Sequence, residues 1–301
     1  RRSSDLRIGD GGSNFASGKS DNFELNRTDL LPSMSNRWEI ADKMSIRSSV
    51  SRTIARPTFK EIALVFSRDP ETGNFFVGNP ALQMSSIMNY DLRWEYNPAP
   101  GDQFAISLFA KSIDKPIEFV NLGVFNTAEN EERAVVYGFE IEMYKDLGRL
   151  METLEGFSFG LNYGFVFSKV ELSQNSREIR ERAGLSLDRP LQGQPDYTFN
   201  ANLTHEIKDW GLTSAILLNV TGPLLYTVGG QFESNLTPDI YQRPFTSLDL
   251  AFSKQITEHW SFNLRVSNLL NQPRERYFEG GLPFAVTQTG TTYTMGMTGK
   301  W

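Results

Sequence analysis

Only two histidines, His205 and His259, and no cysteines occur in the 301 residues. The missing thiols remove disulfides, thiolate metal sites and a Cys nucleophile. His205 falls on the apolar side of an alternating segment, and His259 follows the short turn Thr257-Glu258, so neither is placed to activate a nucleophile. Metal and cofactor chemistry reads as absent too. No His pair has ligand spacing, Asp69-Pro70-Glu71 and Asp102 read as turn acids, and the stretch 56–86 lacks the closely spaced oxygens of a calcium loop. Gly229-Gly230 precedes no helix and cradles no phosphate. What remains is recognition without bond-making. Arg68, Asp69, Phe75 and Phe76 lie in one long connection, and Tyr226, Phe232, Tyr241 and Arg243 in another. Aromatic faces stack on sugars or flat aromatic ligands, and guanidinium forks grip carboxylates or catecholates. The same side chains can equally pack the connections against each other.

The elements that must position these residues are strands. From Phe157, the residues Phe157, Phe159, Leu161, Tyr163, Phe165 and Phe167 alternate with Ser158, Gly160, Asn162, Gly164, Val166 and Ser168. That is period two with one aromatic and one small or polar face. Met88-Tyr96 and Val135-Met143 repeat it. Eleven strands are expected, near 31–40, 44–55, 87–97, 103–113, 133–145, 157–170, 196–207, 212–222, 245–256, 259–268 and 291–301. Most reach ten residues, longer than the five or six usual in soluble sheets and close to the 9–11 that cross a bilayer at a tilt.

Connections alternate strictly between short and long. The short ones are 41–43, 98–102, 146–156, 208–211 and 257–258, and the long ones are 56–86, 114–132, 171–195, 223–244 and 269–290. A transmembrane β-barrel sorts its loops this way. Trp38, Trp94, Trp210 and Trp260 all stand near short connections, and Trp301 ends a strand running to the same side, giving one aromatic belt at one membrane interface. Charges keep to the polar parity (Arg37, Glu39, Arg47, Asp91, Arg93, Glu95, Lys111, Glu140, Glu142, Asp249, Arg265), with only Arg52 and Lys254 on the apolar one. A mean hydropathy of -0.37 suits a barrel whose other face meets water. No apolar run is long enough for a membrane helix, and a net charge of -6 argues against a nucleic-acid partner.

Several motifs, in order, resemble TonB-dependent outer-membrane receptors. They are Ser51-Arg52-Thr53-Ile54-Ala55-Arg56-Pro57-Thr58-Phe59-Lys60-Glu61, Gly78-Asn79-Pro80-Ala81-Leu82, Asn89-Tyr90-Asp91-Leu92-Arg93-Trp94-Glu95, Pro116-Ile117-Glu118, Tyr137-Gly138-Phe139-Glu140 and Asn268-Leu269-Leu270-Asn271. The resemblance implies an antiparallel barrel of about 22 strands with a plugged lumen in the outer membrane of a Gram-negative bacterium. It also implies import of a scarce solute, such as a siderophore–iron complex or an oligosaccharide, energised by the TonB complex. Eleven strands is an odd count where bacterial barrels are even, so 31–301 is expected to be the C-terminal half of such a barrel. The Gly- and Ser-rich segment 1–30 is then the extracellular loop of the preceding hairpin, and the region that meets TonB is absent. Tyr293, Met295, Met297 and Trp301 form one face of the last strand and look like the signal read by the barrel assembly machinery. A passive porin or an autotransporter translocator is the alternative, each needing an even strand count.

Overall fold

The computed structural model describes residues 28–68, 73–123, 125–232 and 235–299, together with Leu6–Arg7 and Glu24–Leu25, which pair antiparallel. The rest of the expected loop 1–30, as well as Asp69 and Trp301, lies outside the described residues. Long stretches of alternating side chains cannot hide both faces in water, and they extend into long strands. These are β1 (Ser33–Ala41), β2 (Met44–Ala55), β3 (Ser85–Tyr96), β4 (Gln103–Asp114), β5 (Arg133–Asp146), β6 (Phe157–Glu171), β7 (Tyr197–Ile207), β8 (Leu212–Thr221), β9 (Phe245–Gln255), β10 (Trp260–Ser267) and β11 (Thr292–Gly299). Each coincides with an expected strand to within two residues at either end.

All eleven form one sheet in which neighbours in sequence are neighbours in space, every pair antiparallel. Within the described residues, β1 and β11 each pair on one side only, so the sheet is an open, membrane-type barrel wall. Register keeps the two faces pure. Phe139 stands between Leu108 of β4 and Phe165 of β6, and its ring lies 5.9 Å from that of Phe165. Opposite parity aligns Arg93 with Arg47 and Ser107. On the apolar face, large side chains such as Leu108 (51%) and Tyr137 (50%) remain about half exposed, which fits lipid contact and not a buried core. Gly138, on the polar face, permits the close approach of β6: a Cβ there would lie 2.1 Å from the Phe165 carbonyl oxygen.

Arg52 and Lys254 are not alone on the apolar parity, since Arg133, Lys145 and Lys169 share it near strand ends, where charge can reach the rim. Lys254 donates from its ammonium to the Trp210 carbonyl at the short-turn rim, so its charge leaves the apolar band. Arg52 donates to Ser86 Oγ at 3.1 Å near the opposite end of β2. Trp38, Trp94 and Trp260 sit close to the short-turn ends of their strands, and Trp210 lies in the turn Lys208–Trp210 itself. His205 stacks on Phe157, 3.9 Å between ring centroids, close to that same rim.

Two compact apolar clusters belong to the long connections, and a third, Ala134, Val170 and Leu172, ties the long-loop ends of β5 and β6 to the connection that follows. Ile62, Phe76, Leu82 and Ala128 form the first, and Val120, Leu122, Leu225 and Val228 the second. Their segments were expected only as loops, yet they carry short strands and a helix, Gln174–Ala183.

Candidate functional site

Above the wall, the long connections build a second sheet of eight short strands. Its order is Pro283–Thr287, Arg274–Phe278, Ile240–Gln242, Leu224–Gly229, Ile117–Asn121, Phe125–Asn130, Phe75–Val77 and Phe66–Arg68. A pure meander makes only antiparallel neighbours, but two pairings here are parallel: Val228–Gly229 with Val120–Asn121, and Phe125–Asn126 with Phe75–Phe76. The sheet thereby skips the connection between β6 and β7. That connection folds instead into the helix Gln174–Ala183, where the Ser173 hydroxyl accepts from the Ser176 N–H at 3.2 Å and Gly184 ends the helix at φ 67°.

Buried ion pairs lock this layer together. Arg180 donates to both carboxylate oxygens of Asp239 at 2.9 and 2.8 Å, and Asp239 also accepts the Gly229 N–H at 2.8 Å. Arg189 grips Glu118 at 3.0 and 2.7 Å and Glu131 at 2.9 Å. Glu118 and Glu131 in turn accept the N–H groups of Gln192 and Ser173. Burial works against the charge of Arg189, but the two carboxylates outweigh it and hold the guanidinium pKa above its usual value. Charges removed from water this thoroughly persist only when paired, and here both terminal nitrogens of Arg189 are bonded while its buried Nε has no partner. Among the described residues Glu129 has no such partner: burial first, then the charge of Glu131, pushes its carboxyl pKa up. Beside it lies a cavity of about 320 Å³ lined by Val120, Glu129, Ile179, Arg182 and Gln231.

The recognition residues expected from sequence are spread across this layer. Phe75 is 46% exposed, whereas its neighbour Phe76 is buried against Ile62, Leu82 and Ala128, edge-on to Phe119 at 5.6 Å. Arg68 donates to the Gly73 carbonyl at 3.3 Å. Phe232 meets Phe125 edge-on at 5.2 Å. Tyr241 stacks on Tyr277 at 5.9 Å, and burial followed by the charges of Asp239 and Glu279 pushes its phenol up to about 12. Arg243 lies over the same Tyr277 ring and pairs with Glu275 at 3.2 Å. Tyr226 carries the guanidinium of Arg276 on its face, 3.7 Å away. Tyr226, Tyr241 and Arg243 therefore belong to one half of the sheet, and Phe75, Phe76 and Arg68 to the other.

Sequence reasoning did not find Arg180, Arg189 and Asp239, whose partners lie 58 to 71 residues away along the chain. Glu118 did stand in the quoted Pro116-Ile117-Glu118 motif, and its role is now visible as acceptor for Arg189. On the polar face of the wall, Arg93 reaches Glu142 at 2.7 Å through both terminal nitrogens, Glu95 at 2.7 Å and Ser107 at 2.9 Å. Arg47 joins Glu95 at 3.0 Å. At the short-turn rim, burial of Asp102 favours its neutral form. The Lys145 ammonium at 2.5 Å and the Asp146 N–H overcome this and hold its carboxyl pKa below the ordinary range.

Residues 3–269 match the family model described as TonB dependent receptor-like, beta-barrel. The iron-regulated outer membrane virulence protein of Vibrio cholerae is 22% identical over 273 residues, covering 86% of this chain and 38% of that protein. Among solved structures, the ferric enterobactin receptor PfeA of Pseudomonas aeruginosa superimposes with a TM-score of 0.58 at 16% identity, covering 89% of this chain and 40% of that one. The siderophore receptor PirA of Acinetobacter baumannii gives 0.59 at 14%, with 89% and 40% covered. A copper transporter, OprC, gives 0.61 at 16%, with 91% and 40% covered. The chain thus spans about two fifths of the length of these relatives.

Proposed function

This chain belongs to the TonB-dependent receptor-like β-barrel family, and from that membership we propose that the whole protein captures a scarce solute outside the cell and imports it with energy from TonB. Its place is the outer membrane, with the apolar face of the wall in lipid. A siderophore–iron complex is the first candidate cargo, because the relatives named above include siderophore receptors and an iron-regulated protein; an oligosaccharide is the second. The observation that carries the reading is the family match laid over eleven strands whose long connections all gather at one rim. There they form a pinned layer bearing Phe75, Tyr226, Phe232 and Arg243.

In this reading the short-turn rim faces the periplasm. Trp38, Trp94, Trp210 and Trp260 seat the wall at that interface, with Trp301 completing the belt. Tyr293, Met295, Met297 and Trp301 serve as the signal for the barrel assembly machinery. The open edges β1 and β11 are closed by further strands of the same protein, and residues outside this chain receive the pull of TonB. The relatives are transport receptors, which supports a binding and transport role in place of catalysis.

The test is uptake of radiolabelled ferric siderophores by cells expressing the full-length gene, with the inner-membrane energising system present or deleted. Uptake that depends on both is expected. Uptake unchanged by loss of the energising system would make the protein a passive pore.

A further inference from the structure

Two arginines of the loop layer combine an aromatic ring contact with the lack of a carboxylate partner among the described residues. Arg274 and Arg276 lie two residues apart on one strand and so point to the same face of the sheet. Arg276 lies flat on Tyr226 at 3.7 Å, and Arg274 on Phe245 at 4.1 Å. Arg180, Arg189, Arg243 and Arg265 all have carboxylate partners. Arg274 and Arg276 have none among the described residues, and the Nε of Arg276 is buried with no hydrogen-bond partner. A ring supports the face of each guanidinium, and no hydrogen bond among the described residues occupies the terminal nitrogens of either.

Parity tells which way this shelf looks. Phe245 shares its parity with Ser247 and Asp249 on β9, and Asp249 accepts from Arg265 at 2.9 Å on the polar face of the wall. Phe245 also pairs with Thr221, the last polar-face residue of β8. Arg274 covers Phe245, so the shelf opens toward the lumen side at the long-loop mouth, above the membrane band. Stacking on a ring fixes a guanidinium plane and leaves its fork free for a planar oxyanion.

We propose that Arg274 and Arg276, shelved on Phe245 and Tyr226, form an anion-reading site that selects cargo carrying at least two oxyanion groups, one for each guanidinium. The ligand class is a polyanionic metal chelate of the catecholate or polycarboxylate kind, in preference to an uncharged one. This rests on the transport reading above and specifies the charge of what that site accepts.

The full-length receptor, purified in detergent, is titrated with two ferric chelates of similar size, a trianionic tris-catecholate and an uncharged tris-hydroxamate. Arg274→Gln combined with Arg276→Gln is compared with the parent after both show the same heat-modifiable mobility. The parent should prefer the trianion, and the double substitution should weaken that binding about 100-fold while leaving the uncharged chelate unchanged, since each charged hydrogen-bond donor contributes about tenfold. The parent's affinity for the trianion should also fall with added salt. Equal losses for both chelates, no loss for the trianion, or no binding of the trianion by the parent overturns the proposal. TonB-dependent uptake of the uncharged chelate alongside any of these results leaves the transport reading intact and removes only the anion site.

Discussion

Replacing Arg189 by alanine removes the guanidinium that holds Glu118 and Glu131 together, and both carboxylates stay buried. Arg189 makes three bonds to those carboxylates, at 3.0, 2.7 and 2.9 Å, with its side chain wholly shielded from solvent. Breaking a buried pair by deleting one partner costs about 3–5 kcal/mol. Here two acids lose their partner, so the upper part of that range is expected. Glu118 belongs to the strand Ile117–Asn121 and Arg189 to the connection after the helix, so the cost falls on the docking of the loop layer and spares the wall. The assay is amide hydrogen exchange on the full-length receptor in detergent. Protection of the 117–131 and 185–195 amides should fall by about three to three and a half orders of magnitude, while β4, β5 and β6 keep theirs. Replacing all three residues together, with Arg189→Met, Glu118→Gln and Glu131→Gln, should recover part of the loss, because no charge is stranded. Unchanged exchange in the alanine variant, or loss spread evenly through the wall, would refute the reasoning.

Phe76→Ala should destabilise the loop layer by about 3–5 kcal/mol through the cavity it leaves, seen as a lower midpoint for loop proteolysis. Phe75→Ala should leave that midpoint alone and weaken cargo binding by about 1–3 kcal/mol if its exposed ring stacks on cargo. Leu108→Arg puts a charge on the lipid face and should cost about 2–4 kcal/mol in vesicle refolding titrations, whereas Ser107→Arg on the polar face should cost far less. Two carboxylates should give opposite pH responses. The folded pKa of Glu129 is raised, so its burden is present at neutral pH and relieved as pH falls through that value; Glu129→Gln should raise loop protection at pH 7 and flatten its pH dependence. The folded pKa of Asp102 is lowered, so its contribution is present above the ordinary aspartate value and lost as pH falls through the depressed one; Asp102→Asn should abolish that acid-side loss.

How much of this could be read without coordinates depended on how local each signal was. β6 shows six apolar residues at strict alternation, which fixes a strand, its faces and, through the polar partners, the side facing water. Phe75–Val77 has three residues, too few for any period, so nothing nearby reveals that Phe76 points into a core while Phe75 does not. The clamps are hidden for another reason: Arg189 and Glu118 meet only because the sheet skips the connection between β6 and β7. The helix Gln174–Ala183 has local signals in Ser173 at its N-cap and Gly184 beyond its end, but with Ile179 as its one large apolar residue it shows no apolar stripe. Arg274 and Arg276 carry no local signal, because the rings beneath them, Phe245 and Tyr226, come from other strands.

The separation of lipid from water by one sheet is tested most directly by a cysteine scan along β4 in the full-length receptor, reconstituted in vesicles, since the present chain has no cysteine of its own. A fluorophore at Ile106, Leu108 or Ala110 should be quenched by labels buried in the acyl chains and spared by aqueous iodide. One at Ala105, Ser107 or Phe109 should respond in the opposite sense. Equal quenching by both agents along the strand, or alternation of the reverse phase, would contradict a membrane wall.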